Sequence, residues 1–170
     1  IRLQDEYESF HLIADYHVLT TDLDTLDVYQ NSIDMLIDWL ACGLDPVKNP
    51  MFRQSQIKQH AELSLIFGML ITVNRLERNP TLIDQVRDLN IENVIYGQLG
   101  YPVLQTSDIL LYKGEFVPVG EDQVPHIEIS REIARRFNNH YGNVFPEPEA
   151  LLTKFSRLPG LDGNAKMSKS

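Results

Sequence analysis

The chain closes on Lys166-Met167-Ser168-Lys169-Ser170, led in by Gly160-Leu161-Asp162-Gly163-Asn164-Ala165. Two ammonium groups on a glycine-flanked loop suit a polyphosphate whose charge moves during a reaction, and the serine hydroxyls add donors. The spacing is not that of a phosphate-binding Gly-x-x-x-x-Gly-Lys-[Ser/Thr] loop, and a solvated basic tail is the plainer alternative. A second candidate is Val119-Gly120-Glu121-Asp122-Gln123, where a strand runs through a glycine into a helix. Free N–H groups at a helix start serve an anion or a ribose hydroxyl, and acids there also suit the helix dipole. A third is Asp108, set among Leu104, Ile109, Leu110 and Leu111. A carboxylate in apolar company must meet a donor, supplied by a ligand N–H or O–H, by backbone or by an arginine.

These residues need elements to hold them. Phe10-His11-Leu12-Ile13-Ala14-Asp15 reads as a short buried strand ending at an acid. Tyr29, Ile33, Leu36, Ile37 and Leu40 recur at helical steps, predicting a helix from Asp22 to Gly43 capped by Asp22 or Asp24. Trp39 and the stripe around it are expected in the core. Met51 to Gln54 is a weak strand, and a helix from Ile57 to Leu76 follows until Asn79-Pro80-Thr81 breaks it. The spacing then predicts a helix over Val103–Tyr112 with Pro102 in its first turn, a strand at Phe116–Gly120 and a helix over 122–141. Prolines 146, 148 and 159 with glycines 142, 160 and 163 make the remainder loop-rich.

Strands alternating with helices of ten or more residues predict an α/β fold: a Rossmann-like parallel sheet with crossover helices. Ligands in such sheets sit beyond the carboxyl ends of the strands. Asp15 and His17 follow the first strand and Gly120 to Gln123 the last clear one, so they are expected at one crevice.

Bulk properties narrow the classes. The 170 residues are 43% hydrophobic and 23% charged, a length and balance that allow one real core. No apolar run nears the ~18–20 residues of a membrane helix. Cys42 is the lone cysteine, which excludes an internal disulfide and any cysteine-rich zinc site and fits a reducing cytoplasm. The histidines (11, 17, 60, 126 and 140) lack metal-ligand spacing, so no protein metal site is expected. A net charge of −9 disfavours an extensive nucleic-acid surface, and Arg131, Arg135 and Arg136 read as a solvated helix face.

Read in order, the motifs resemble a class I aminoacyl-tRNA synthetase of the bacterial tryptophan-specific type. They are Ile13-Ala14-Asp15-Tyr16-His17, Leu76-Glu77-Arg78-Asn79-Pro80-Thr81, Tyr101-Pro102-Val103-Leu104-Gln105, Asp108-Ile109-Leu110-Leu111-Tyr112, Val117 to Gln123, His126-Ile127-Glu128 and the terminal Lys-Met-Ser-Lys-Ser. The resemblance spans nearly the whole chain and implies ATP-dependent activation of L-tryptophan, with Mg2+ present, followed by transfer to tRNA. It assigns Lys166 and Lys169 to the leaving pyrophosphate, with Met167, Ser168 and Ser170 in the same ATP-binding loop. Gly120, Glu121, Asp122 and Leu158 go to the adenosine part. Asp108, Tyr101, Gln123 and His17 form the tryptophan pocket, with Asp108 accepting the indole N–H and Tyr101 and Gln123 holding the amino-acid backbone. It further implies a cytoplasmic homodimer. Residues 1–170 are expected to be a partial catalytic domain, incomplete at both ends, without the family's His-Ile-Gly-His-type segment and anticodon-binding helices. Leu82-Ile83 stands where that family often has an aromatic residue and a lysine. A non-catalytic paralogue that binds tryptophan or a nucleotide, and a tyrosine-specific relative, remain the alternatives.

Overall fold

A computed structural model describes residues 1–20, 23–88 and 91–152. After a 3-10 turn at Arg2–Asp5, strand β1 (His11–Ile13) passes into the short helix α1 (Asp15–Val18) and then α2 (Val28–Ala41). Strand β2 (Met51–Arg53) pairs in parallel with β1, His11 opposite Met51 and Ile13 opposite Arg53. Helices α3 (Gln59–Gly68), α4 (Val73–Glu77), α5 (Pro80–Asp88) and α6 (Tyr96–Leu110) follow. Strand β3 (Phe116–Val119), α7 (Val124–Tyr141) and β4 (Glu149–Leu152) close the described chain, β3 and β4 again parallel. Both pairs therefore have the crossover connections that parallel strands require. Among the described residues they are two separate two-stranded pairs rather than one continuous sheet.

The core lies where α3, α4, α6 and α7 meet. Phe67, Leu76, Val103, Ile109, Leu110, Ile127, Ile129, Ile133 and Ala134 are buried there. Phe67 packs edge-on against Phe137 and Phe145 at ring-centroid distances of 6.0 and 5.5 Å. Polar pairs run through the same core. Thr106 and Ser130 share a 2.9 Å hydroxyl contact between α6 and α7, and Ser107 donates to the carbonyl of His60 on α3. Each pair fixes one helix against another along and around its axis, because a mispaired buried hydroxyl costs free energy.

Several sequence-based expectations need correction. Helix α2 starts at Val28, because Asp24 instead caps a turn by accepting from the amide of Leu26. Trp39 is half-buried, edge-on to His11, while Tyr29, Ile37 and Leu40 are exposed. The helix expected over 57–76 is two, because Thr72 caps α4 by accepting from the amide of Arg75. Pro80 begins α5 as well as ending the segment before it, the position where a missing N–H costs nothing. Helix α6 begins at Tyr96, so Pro102 lies inside it despite the lost hydrogen bond. Packing against α3 and α7 holds that helix through the proline. Strand β4, unmarked by alternation, lies in the stretch expected to be loop.

The arginine cluster on α7 is tied down. Arg131 and Arg135 approach Glu147 at 3.5 and 3.4 Å. Arg136 pairs with Glu132 and donates to the carbonyl of Leu70. Phe67→Ala is expected to cost about 3–5 kcal/mol of unfolding free energy in urea. Leu26→Ala, at a residue 86% exposed, should stay within about 0.5 kcal/mol.

Candidate active site

Helix α6 lines the site with Tyr101, Gln105 and Asp108, four and three residues apart and so on one face. Asp108 is 9% exposed and is surrounded by donors from three other segments. His17 Nε2, on α1 just past β1, lies 2.9 Å from Oδ2. Gln54 Nε2, just past β2, donates to Oδ1 at 2.7 Å and Oδ2 at 2.9 Å. His60 Nδ1, on α3, lies 2.7 Å from Oδ1, an off-axis donor to that oxygen. A carboxylate only accepts, so this nitrogen carries the proton and His60 Nε2 accepts from the Tyr112 hydroxyl at 2.8 Å. The Gln54 amide is oriented from its other end, its Oε1 accepting from the backbone N–H of Tyr16 at 3.0 Å.

Burial alone would raise the Asp108 pKa. Hydrogen bonds from His17, His60 and Gln54 and the charge of His17 outweigh that and hold the carboxyl below its ordinary value. The site therefore presents an ionised acceptor at its base. The edge of the His17 ring meets Tyr101 at 6.2 Å, linking Asp108 to a second cluster.

That second cluster joins α6 to the start of α7. Tyr101 Oη contacts His126 Nε2, and His126 Nδ1 contacts Asn79 Nδ2 at 2.7 Å. His126 and Asn79 are both fully buried. Burial, with the charge of His17, pulls the His126 pKa down to about 4 against the opposing pull of Asp122. Burial and then the Asp122 charge push the Tyr101 hydroxyl up to about 12. Gln123 lies beside these groups, accepting weakly from Gln105 at 3.4 Å and donating to Asp122 at 3.0 Å. Gly120, Glu121 and Asp122 occupy the carboxyl end of β3, and the backbone carbonyl of Asp122 accepts from Thr81 at 2.8 Å. The φ of Gly120 is −73°, so its backbone does not demand glycine.

His17 touches both Asp108 and Tyr101, and Gln123 meets Gln105, which lies on the same face of α6 as those two. Asp15 does not belong to the crevice. Its carboxylate is spent on the backbone N–H and hydroxyl of Ser55, clamping the end of β1 to the segment after β2. Leu158, Lys166, Met167, Ser168, Lys169 and Ser170 lie outside the described residues. Sequence reasoning missed Gln54, His60, Asn79 and His126 as members of the site. Gln54 had a signal, since it follows a strand as His17 does, and Asn79 and His126 stood in motifs that carry the resemblance; His60 had none. Among the described residues no group of three His, Cys, Asp or Glu could hold a metal ion, and no helix is long and apolar enough to cross a membrane.

Parallel strands joined through helices, with polar residues gathered at the strand ends, define an α/β fold of the kind that binds ligands beyond the carboxyl ends of its strands. The chain belongs to the class I tRNA synthetase family of the tryptophan and tyrosine type, whose model matches residues 1–170. It is 53% identical over 173 aligned residues to the tryptophan–tRNA ligase of Thermotoga maritima, covering 100% of this chain and 52% of that protein. Among solved structures, the tryptophanyl-tRNA synthetase of Campylobacter jejuni complexed with ADP and tryptophan superposes with a TM-score of 0.89. The identity is 37%, over 99% of this chain and 52% of that one. The Mycoplasma pneumoniae tryptophanyl-tRNA synthetase gives 0.91 at 32% identity, over 100% and 51%. The chain thus spans about half the length of these relatives.

The depressed pKa of His126 carries a stability consequence. Between pH 6.5 and about 4 the unfolded histidine binds a proton that the folded one refuses, so the unfolded state gains. The contribution is complete above pH 6.5 and drains as the pH falls toward 4, by roughly 2–3 kcal/mol. Urea denaturation across that range should show this acid limb, and His126→Gln should flatten it.

Proposed function

We propose that residues 1–170 are a central part of the catalytic domain of a tryptophan–tRNA ligase, ending at the Lys-Met-Ser-Lys-Ser loop. The ligase joins L-tryptophan to ATP and passes the tryptophanyl group to tRNA. The observation that carries the reading is the ionised Asp108, held by His17, Gln54 and His60, with Tyr101 packed against the His17 ring. An acceptor-only group there suits the indole N–H, a donor that the phenylalanine side chain lacks. Its lone pairs already meet three protein donors, so the indole N–H takes the place of the most exposed one. That donor is His17, whose side chain is 21% exposed.

In the reaction, a tryptophan carboxylate oxygen attacks the α-phosphorus of ATP and the bond to the β-phosphate oxygen breaks. Tryptophanyl-adenylate forms and pyrophosphate leaves. A terminal ribose hydroxyl of tRNA then attacks the activated carbonyl, giving the ester and AMP. No covalent enzyme intermediate is needed, so the chain contributes positioning and charge stabilisation. Lys166 and Lys169 meet the charge growing on pyrophosphate, with Met167, Ser168 and Ser170 shaping that loop. Gly120, Glu121, Asp122 and Leu158 hold the adenosine. Mg2+ arrives with the phosphates of ATP, and no residue of this chain is assigned to it. A cytoplasmic homodimer belongs to the same proposal and rests on the resemblance.

The full-length protein should exchange pyrophosphate into ATP only when tryptophan is present. Asp108→Ala should lower kcat/KM for tryptophan about 10–100-fold, the loss of a hydrogen bond to a charged group. Lys169→Ala should lower kcat by about 100–1,000-fold with little change in the tryptophan KM. Normal exchange in both variants would sink the assignments, and equal exchange with tyrosine would shift the substrate. Tryptophan bound in a calorimeter without any exchange would instead mark a non-catalytic relative.

A further inference from the structure

The contact between Tyr101 and His126 can run in either direction, and the direction decides what Tyr101 offers a ligand. Either the hydroxyl donates to Nε2, or an Nε2–H donates to the hydroxyl. The neighbours of His126 resolve the choice. Asn79 Oδ1 accepts from the backbone N–H of Thr81 at 3.2 Å, and a backbone N–H can only donate. The Asn79 amide is therefore oriented with its NH2 toward His126 Nδ1, 2.7 Å away. Nδ1 must accept, so in the neutral ring the proton sits on Nε2.

We infer that Asn79 and His126 are positioning residues for the amino-acid pocket: they fix an Nε2–H donor onto Tyr101 Oη, so that Tyr101 turns its own proton toward the ligand. This rests on the proposed function and on the hold of Tyr101 on the amino-acid main chain that the resemblance implies. Tyr101 keeps one free lone pair for an ammonium N–H and gains a donor for the carboxylate. With the opposite tautomer, both lone pairs would face the ligand and repel that carboxylate. Full burial of Asn79 and His126 makes the arrangement stiff, since an unpaired polar atom there has no water to turn to. A His126 pKa near 4 keeps the ring neutral at physiological pH. The charged and titratable groups acting on Tyr101 and His126 are Asp122, beyond β3, and His17, on α1.

The test begins with the full-length protein carrying 15N-histidine. Long-range 1H–15N spectra should show the His126 Nδ1 unprotonated and Nε2 protonated from pH 5.5 to 8. The reverse assignment overturns the inference whether or not the protein activates tryptophan. Absence of tryptophan-dependent exchange in the wild type would overturn the proposed function while leaving that spectrum standing. Asn79→Asp replaces the donor to Nδ1 by an acceptor, which should move the proton to Nδ1 and raise the tryptophan KM about tenfold. The variant should also gain an ionisation between pH 5.5 and 8 in its KM profile. Inhibition by tryptamine, which lacks the carboxylate, should change less than about twofold. Equal weakening of tryptophan and tryptamine would mean a merely structural role. Should Asn79→Asp fail to fold, His126→Gln and His126→Leu decide. Gln can still donate to Tyr101 and should stay within about threefold of wild type, whereas Leu should lose tenfold or more; equal losses would overturn the inference.

Discussion

A carboxylate taken out of water must find donors or take up a proton, and Asp108 finds donors on three segments distant from it in sequence. His17 arrives from the end of β1, Gln54 from the end of β2 and His60 from α3. Removing an ion from water costs several kcal/mol, so none of these segments can drift without exposing that cost. The ion thereby sets the register of the β1–β2 pair against α6. Gln54 is the connecting piece, because one end of its amide holds the carboxylate and the other the backbone of Tyr16 at the start of α1.

The rest of the core repeats this logic at lower stakes. Helices α3, α6 and α7 pack with Phe67, Leu110, Ile129 and Ile133, yet their contacts are indexed by Thr106–Ser130, Ser107 to His60, and Tyr101–His126–Asn79. Apolar packing supplies most of the stabilisation but tolerates sliding among similar shapes. Buried hydrogen bonds do not tolerate it. The pocket therefore sits on groups that cannot move independently, which is what a catalyst working by positioning needs.

The fold class was legible because its signals are local. β1, β3 and the long α7 stand out by apolar runs and helical spacing, and the carboxyl-end rule then leads to His17 and to Gly120 through Gln123. What failed was non-local or masked by punctuation. Pro102 is expected in a first turn, yet α6 begins at Tyr96 and runs through it because two neighbouring helices bury its flank. Thr72, by contrast, was a visible cap that splits the segment over 57–76. Asp108 could be flagged as a carboxylate in need of a partner, but His60 comes from another helix and no spacing announces it. The roles of Asn79 and His126 depend on which end of an amide faces which ring nitrogen, a three-dimensional fact. Asp15 shows the opposite error, an acid in the right place by rule whose bonding is already complete within the fold.

Charge explains how the two halves of the proposed site must divide their work. The chain carries a net −9, and Glu121 and Asp122 stand exposed at the end of β3. Anionic phosphates placed against them would be repelled, so these acids suit the hydroxyls of a ribose, which can donate. The arginines of α7 are occupied by Glu128, Glu132 and Glu147 and by the carbonyl of Leu70. In the proposed reaction the triphosphate must therefore be met by cations from elsewhere, and Lys166 and Lys169 are the close pair that the sequence supplies. The proposed division gives the amino acid one buried anion and the leaving pyrophosphate two cations.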